Sequence, residues 1–386
     1  MPHYEFEGQI FAYGPYTREL EIWAELFPEV MITAPLRREA PPGDAIAVRH
    51  RNIRLDPQWE TGGDRLLSKV IQLAALPIHV WRLSCAMRQA DAIQVRCPGN
   101  LGLLGCLLAP GFRKPRVAKY AGQWTAYDGE PRTWRLQKAV LGSRWWRAPV
   151  LIYGEWPNQP RHVVPSFSSV MDRSQMARAR AAAPPVFAKR PLEALFVGRL
   201  SAAKNVDCLL RALALLKAEG RSLRLRIVGG GPVRSELEAL ATSLKVADRV
   251  VFEGAVAQSR VFDFYEQAHV LVLASQTEGW PKAIAEGMAF GLVCIGSRRG
   301  LVPQMLGAGH GLLVEPGDVG ELAEALRQVD QDPGEASRMA ARAASWAREF
   351  TLEGFREALR KTLESAWGTT LRRTHQLQGT SRQALG

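Results

Sequence analysis

The sequence of 386 residues contains few cysteines, and their spacing forms no metal-binding pattern. There is no CxxC pair and no zinc-ligand spacing among the five cysteines, Cys85, Cys97, Cys106, Cys208 and Cys294. Small secreted domains depend on paired cysteines, whereas isolated cysteines are typical of cytoplasmic proteins with reduced, buried thiols. We therefore expect neither a disulfide framework nor a zinc site.

The sequence also lacks an uninterrupted apolar run of membrane-spanning length. The longest apolar stretches, residues 70–81 and 101–110, are short or interrupted, and the first residues show no basic segment followed by an apolar one. We expect a cytoplasmic protein that is at most peripheral on the inner face of the plasma membrane. The length suggests two domains, and an apolar content of 47% is enough for two cores.

Acidic residues are scarce in the N-terminal half. Residues 1–190 contain 26 lysines and arginines against 16 acidic residues, while residues 191–386 contain 24 against 22. The surplus is concentrated in residues 113–161, where basic residues alternate with five tryptophans, Trp124, Trp134, Trp145, Trp146 and Trp156.

This basic, tryptophan-rich stretch has more than one interpretation. It suits an anionic membrane surface, where indole rings lie at the headgroup level. It equally suits nucleic acid, but no zinc knuckle, RNA-recognition signature or helix-turn-helix pattern accompanies it, so we expect no nucleic-acid partner. The structural alternative is that Trp134, Trp145 and Trp146 pack in the core with arginines solvated outside.

The most informative segment is EGWPKAIAE, residues 278–286. A buried strand over residues 270–274 precedes it, and Pro281 suits the start of a helix that continues to Phe290. Free amides at that helix start, together with Lys282, suit a diphosphate. A carboxylate at Glu286 or Glu278 can accept hydrogen bonds from sugar hydroxyls. The ordinary alternative is a solvated loop acid followed by a surface ion pair.

Strands and helices alternate upstream of this segment. The stretch LFVGRLSAAKN, residues 195–205, runs from a strand through a glycine turn and brings Arg199 and Lys204 to a helix start, where two cations would clamp phosphate. The triplet in VGGGP, residues 228–232, would let the backbone approach a nucleotide, although alone it is a weak signal. The alternation predicts a parallel sheet that binds ligands at the C-terminal ends of its strands.

Together these motifs resemble the C-terminal half of the family 4 retaining glycosyltransferases, also described as group 1 glycosyl transferases. The resemblance covers about residues 192–330, in the order FVGRL, Lys204, VGGGP, FEG at residues 252–254, and EGWPKAIAEGMAFGLVCIGS. Two glutamates separated by seven residues are the family signature, and Glu278 and Glu286 have that separation.

The resemblance implies the α/β GT-B fold. In this fold two Rossmann-like domains face each other across a cleft, and C-terminal helices cross back to the N-terminal domain. We expect an acceptor-side domain over residues 1–165, a linker over 166–191 and a donor domain over 192–345. A crossover helix over 346–368 and a disordered basic tail over 369–386 would follow.

The resemblance also implies roles for individual residues. Arg199 and Lys204 would hold the donor diphosphate, Glu278 the transferred sugar and Glu286 the ribose. The resemblance implies a UDP- or GDP-linked sugar as substrate. No DxD-like acidic pair accompanies these motifs, so we expect neither a metal nor another cofactor. The remaining donor-binding candidates are Gly198, Gly229, Gly230, Gly231, Gly254, Gly279, Trp280, Pro281 and Lys282.

The acceptor half is less regular, and its candidates come from three segments. GQIFAYGPYTREL resembles the family's first acceptor-side loop, VRCPGN a strand that ends in Arg-x-Pro, and KYAGQW the end of the next strand. Ordinary turn or packing roles are an equal alternative for these residues. Relatives have a complete strand before this loop, but only MPHYEFE precedes Gly8 here. We expect either that this edge of the sheet is abbreviated or that the chain begins downstream of the ancestral start. The acceptor-side candidates are Tyr13, Arg18, Arg96, Asn100, Tyr120 and Trp124.

We therefore expect a retaining, metal-independent glycosyltransferase. It would move a sugar from a nucleotide-diphosphate sugar to a glycan or polyprenyl-diphosphate-linked acceptor in surface polysaccharide or glycoconjugate synthesis. Epimerases of this fold lack the glutamate pair, and phosphorylases need pyridoxal phosphate and a longer chain. The alternative from another class is a non-catalytic nucleotide-sugar-binding or membrane-associated scaffold, which the intact cations and glutamates disfavour.

Overall fold

The computed structural model describes residues 1–60, 66–127, 129–168 and 171–371. Most of the predicted tail, residues 372–386, lies outside the described residues. Two α/β domains face each other across a cleft, and the last helix returns from the second domain to the first.

The N-terminal domain contains two sheets. The first has the order β4-β2-β1-β3-β5, and the second has the order β6-β7-β8-β9 with all strands parallel. The bounds of these strands are His3–Phe6, Gln9–Tyr13, Val30–Arg37, Ala45–Ala47, Ile53–Gln58, Ile93–Cys97, Arg116–Tyr120, Val150–Tyr153 and Val163–Ser166 for β1 to β9.

The segment MPHYEFE forms the short strand β1 although it has no apolar run. This strand makes an antiparallel hairpin with β2 and pairs in parallel with the end of β3, where His3 lies opposite Leu36. Backbone pairing on both sides stabilises β1 without a strand-like side-chain pattern.

Four helices cover the N-terminal sheets, and a fifth lies in the predicted linker. Their bounds are Gly14–Leu26, Leu66–Gln89, Asn100–Leu108, Arg132–Gly142 and Arg173–Ala181 for α1 to α5. The linker helix α5 begins at a capping box in which Asp172 accepts from the Gln175 amide, which fixes its start.

The C-terminal domain is a doubly wound parallel sheet of six strands in the order β12-β11-β10-β13-β14-β15. The central strands β13 and β14 are fully buried, because helices cover both faces, whereas β11 and β12 near one edge also contain charged residues. The strands are Leu192–Val197, Leu223–Val228, Val250–Gly254, Val270–Leu273, Val293–Ser297 and Gly311–Val314 for β10 to β15. The helices that alternate with them are Val206–Ala218, Arg234–Ser243, Gln258–Gln267, Lys282–Ala289, Val302–Leu306 and Val319–Gln331 for α6 to α11.

Two further helices end the described chain. Helix α12, Pro333–Ala347, packs against α9 and β14 in the C-terminal domain. Helix α13, Leu352–Trp367, crosses to the N-terminal domain and buries Phe355, Leu359 and Leu363 against α1. The two domains are thus joined by α13 as well as by the linker.

The burial of α13 generates a stability prediction. Leu363 is fully buried, so Leu363→Ala would leave a cavity and lower the free energy of unfolding by about 2–5 kcal/mol. Urea denaturation followed by circular dichroism measures this change. Lys361→Ala, on the exposed face of the same helix, is the matched control and should change stability by less than about 0.5 kcal/mol. Equal effects of the two substitutions would contradict the packing of α13 on the N-terminal domain.

Candidate active site

The candidate site lies where the strand order of the C-terminal sheet reverses. Strand β10 pairs with β11 on one side and β13 on the other, so the connections leave their C-terminal ends in opposite directions. A crevice at such a switch point is the usual ligand site of an open parallel sheet. Arg199 and Lys204 follow β10, and Glu278 follows β13.

These ends open into a cavity of about 1560 Å³ between the two domains, which also continues between β3 and β6. This volume exceeds the about 300–1,000 Å³ of common ligand pockets because the cavity extends into the N-terminal domain. Predicted site residues that line it are Tyr13, Arg96, Asn100, Gly198, Arg199, Lys204, Glu278, Gly279, Trp280, Pro281 and Lys282.

The Lys204 ammonium is paired with the Glu278 carboxylate, Nζ to Oε1, at 2.5 Å. The loops that carry them are joined by backbone, since the Gln276 amide donates to the Ala203 carbonyl at 2.8 Å. Asn205 adopts a left-handed conformation and donates its side-chain amide to the Ala274 carbonyl at 2.9 Å. The sequence places cation and acid 74 residues apart, and this backbone connection brings them together.

Glu286 is buried on α9 and accepts a hydrogen bond from the Tyr265 hydroxyl at 2.8 Å. Burial, followed by the nearby Glu286 charge, raises the pKa of Tyr265 well above its usual value, so the phenol stays a donor. The alternative of a solvated surface ion pair at this helix start is wrong for Glu286, because its carboxylate is enclosed. Tyr265, which orients it, is a residue that sequence reasoning missed.

Lys282 opens α9 at the floor of the cavity. Burial lowers its pKa to about 8, with Glu19 acting in the opposite direction. At neutral pH the side chain is therefore a cation with little surrounding water, which strengthens its attraction for an anion.

The N-terminal wall contributes a second charged group. Arg96 pairs with the buried Glu19 at 3.1 Å and lies over the Tyr16 ring. Burial acts to raise the pKa of Glu19, but Arg96, Lys119 and Lys282 together bring it below its ordinary value. Glu19 was not predicted. It lies on the buried, mostly apolar face of α1, and an acidic residue in that pattern is the signal that could have found it.

The two domains touch at the loop that carries Glu278. A Cβ at Gly279 would lie 3.1 Å from the Ala121 carbonyl oxygen, so the loops pack closely. Trp280 packs against Tyr153 of the N-terminal domain and against Phe350 before α13. This contact closes one end of the cleft.

The structure gives the glycine triplet a different reason from the predicted one. At Gly229 φ is +143°, and a Cβ there would lie 1.9 Å from the Gly198 carbonyl oxygen. The Leu200 amide donates to the Gly230 carbonyl, and the Gly229 amide to the Gly254 carbonyl. Close packing between loops therefore requires glycine at Gly229, whether or not a nucleotide lies nearby.

Three acceptor-side candidates lie away from the cavity wall. Tyr120, predicted at the cleft edge, is fully buried in the core, where its ring packs edge-on against Trp124 at 5.4 Å, and neither residue lines the cavity. Arg18 reaches Gln175 of α5 at 3.3 Å. For Tyr120 and Trp124 the packing alternative holds, because strand β7 ends inside the domain.

Within the part of the chain that the structure describes, no group of three or more histidine, cysteine, aspartate or glutamate side chains is arranged to hold a metal ion. The described cysteines are all free. Positive charge at the site comes from arginine and lysine side chains and from the start of α9.

Similar proteins fall into one family. The sequence model described as Glycosyl transferases group 1 matches residues 178–346. D-inositol 3-phosphate glycosyltransferase of Streptomyces bingchenggensis is 35% identical over 189 residues, which is 46% of this chain and 41% of the relative. The protein of that name from Streptomyces coelicolor is 34% identical over 201 residues, 50% of this chain and 43% of the relative. These matches span about two fifths of each relative's length.

A longer match covers both domains. D-inositol 3-phosphate glycosyltransferase of Acidothermus cellulolyticus is 30% identical over 380 residues, covering 85% of this chain and 81% of the relative. This alignment extends the family relationship beyond the donor-side motifs.

Solved structures share the fold at low sequence identity. Sucrose-phosphate synthase from Thermosynechococcus elongatus has a TM-score of 0.68 and 20% identity and covers 92% of this chain and 93% of its own. Anabaena HepE in complex with UDP and glucose has a TM-score of 0.65 and 16% identity, with coverages of 91% and 96%. The chain therefore belongs to the group 1 glycosyl transferases and has the GT-B fold.

Proposed function

We propose that this protein is a retaining, metal-independent glycosyltransferase that uses a UDP- or GDP-linked sugar as donor. The observation that carries the proposal is the convergence of Arg199, Lys204, Glu278 and the start of α9 on one interdomain cavity. Cations, amides and a carboxylate are what a diphosphate and a sugar require. The glycosyltransferase names of the relatives and the UDP bound to a similar structure support it.

The charge pairs suggest how the donor would be held. A diphosphate would compete with Glu278 for the Lys204 ammonium and would also attract Arg199 and Lys282. Glu278, released in part from Lys204, would accept hydrogen bonds from hydroxyls of the transferred sugar. Glu286, held by Tyr265, would accept from the ribose.

In the proposed reaction the bond between the sugar C1 and the leaving phosphate oxygen breaks, and a bond from C1 to the acceptor oxygen forms on the same face. The departing phosphate oxygen takes the proton of the acceptor hydroxyl. Arg199, Lys204 and Lys282 would stabilise the charge that develops on the diphosphate. Neither glutamate is assigned as a covalent nucleophile, because Glu278 would bind hydroxyls of the transferred sugar and Glu286, held by Tyr265, the ribose.

The acceptor we propose is a glycan or a polyprenyl-diphosphate-linked intermediate of surface polysaccharide or glycoconjugate synthesis. The cavity wall at Arg96 and the nearby Lys282 support an acceptor that carries phosphate. Because the relatives are named D-inositol 3-phosphate glycosyltransferases, an inositol phosphate is the second acceptor to test. A lipid-linked acceptor would bring the protein to an anionic membrane surface from the cytoplasmic side.

A panel of nucleotide sugars tests the proposal as a whole. We expect one UDP- or GDP-sugar to release its nucleotide in the presence of acceptor, and EDTA to leave that rate unchanged. Mass spectrometry of the products identifies the transferred sugar, with polyprenyl-diphosphate glycans and inositol 3-phosphate offered as acceptors. Abolition by EDTA with recovery on Mg²⁺ would contradict metal independence. Binding of a donor without release under any condition would favour the non-catalytic scaffold.

Substitutions at the ion pair test its role in the reaction. Lys204→Ala and Glu278→Gln should each lower kcat/KM by about a hundredfold or more, because each removes charge or hydrogen bonding directed at the transferring group. Arg226→Ala is the matched control, since it removes an ion pair to Glu253 of similar length, 2.8 Å, on neighbouring strands of the same sheet. Retained turnover in Lys204→Ala, with a wild-type circular dichroism spectrum, would rule out its assigned role.

The lowered pKa of Lys282 predicts a pH dependence of nucleotide binding. Below pH 8 the side chain is protonated and attracts the diphosphate, and above pH 8 the free protein loses that charge. Affinity for the nucleoside diphosphate should therefore fall above pH 8 by up to about tenfold per pH unit, as calorimetric titration would measure.

Two lysine variants identify the group responsible. Lys282→Met should bind more weakly at pH 7 and lose the pH dependence. Lys119 has a pKa lowered to about 8 by burial as well, but its side chain lies behind the cavity wall, over the Tyr153 and Phe355 rings. Lys119→Met should keep the pH dependence, and the opposite result would transfer the role to Lys119.

A further inference from the structure

The N-terminal half of α2 exposes an apolar surface that no described part of the chain covers. Leu73 is 69% exposed and Trp81 is 66% exposed, values unusual for large apolar side chains in a folded domain. We call this surface the α2 patch, and its large members are Val70, Ile71, Leu73, Leu76, Ile78 and Trp81.

The C-terminal half of the same helix is built into the domain. Leu83, Ala86 and Met87 are buried, and β6 begins soon after the helix ends. In the part that carries the patch, Ala75 and His79 are buried as well, so the domain holds the helix in place along one face.

The segment Lys69–Gln89 is long and apolar enough to cross a membrane by length and composition. Its buried half cannot enter lipid while the domain is folded. The remaining residues, Lys69 to Trp81, extend for about 20 Å, which is shorter than the ~30 Å hydrocarbon core of a bilayer. The exposed half can therefore lie in a membrane interface but not span the bilayer.

The exposed apolar residues cover a wide arc of this segment, and its remaining face, with Ala75 and His79, is buried in the domain. Val70, Ile71 and Leu73 are one to three positions apart, so they point in different directions around the helix. A protein partner that binds a helix in a groove requires a stripe at a spacing of three and four residues, whereas lipid tails and headgroups surround an embedded helix.

The charges on α2 itself are all basic, which suits an anionic surface. The helix contains Lys69, Arg82 and Arg88 and no acidic residue. Arg82 pairs with Asp56 of β5 at 3.2 Å, which ties the helix to the strand that precedes Trp59. Trp59 is largely exposed, as Trp81 is, and tryptophan favours the headgroup level of a bilayer.

The patch lies beside the acceptor half of the cleft. Helix α3 packs on α2 and also exposes an apolar side chain, Leu107. The first residues of α3, including Asn100, line the interdomain cavity. A lipid-linked substrate held in the membrane would therefore approach the cavity along α2 and α3.

We propose that the α2 patch docks this protein on an anionic phospholipid membrane by inserting into the interface between headgroups and acyl chains. This assigns the membrane contact to α2 instead of the predicted stretch over residues 113–161, where Trp146 is fully buried and Trp145 is exposed. The purpose of docking, delivery of a lipid-linked acceptor, rests on the proposed function.

Vesicle co-sedimentation of the full chain tests the docking without donor or acceptor. We expect binding to vesicles of phosphatidylcholine with about 30% phosphatidylglycerol, and weaker binding to phosphatidylcholine alone. Leu73→Glu combined with Trp81→Glu should weaken partitioning by about tenfold or more, because both side chains lose their apolar contact with lipid. Trp145→Glu is the matched control, an exposed tryptophan on the basic stretch, and should bind as the wild type does.

Three results would overturn the proposal. They are failure of the wild type to bind anionic vesicles, loss of binding in Trp145→Glu with retention in the double variant, and self-association that the double variant abolishes while vesicles do not bind. A wild-type circular dichroism spectrum shows that the double variant is folded. Unchanged nucleotide release by the double variant with a soluble acceptor separates failure of docking from failure of the proposed reaction.

Discussion

The loop from Glu278 to Trp280 forms both one side of the candidate site and one of the contacts between the two domains. Its backbone packs against the loop that follows β7, and the Trp280 ring fills the space between Tyr153 and Phe350. The position of the Glu278 carboxylate therefore depends on how the domains meet. A displacement of either domain at this contact changes the site geometry. Closure of the cleft and the positions of the site residues therefore depend on each other.

Charged groups at this contact lose water from both sides. Glu19, Arg96, Lys119 and Lys282 approach one another there, and burial lowers the pKa of both lysines to about 8. Three cations face two buried acids, Glu19 and Glu286, and the remaining positive charge is costly in a medium of low dielectric. An anionic ligand in the cavity would reduce this cost.

Sequence alone predicts the donor half well because its signals are local. Buried strands such as β13 consist of apolar residues, and Pro281 marks the helix that follows. The acceptor half depends on contacts between distant segments. The pairing of β1 with β3 forms without an apolar pattern, and nothing near Tyr120 in sequence indicates that β7 ends inside a core. Residues that orient others, such as Tyr265 and Glu19, have no motif of their own.

The lysines and arginines of the N-terminal half contribute less surface charge than their number suggests. In the stretch over residues 113–161, Arg116 donates to the Trp146 carbonyl, Lys119 is fully buried, and Lys138 pairs with Glu130 at 2.6 Å. These cations satisfy acceptors within the fold, so they contribute little field beyond it. On α2, by contrast, few basic residues accompany a large exposed apolar area. Membrane affinity in this protein would therefore come mainly from apolar contact, with charge selecting the lipid.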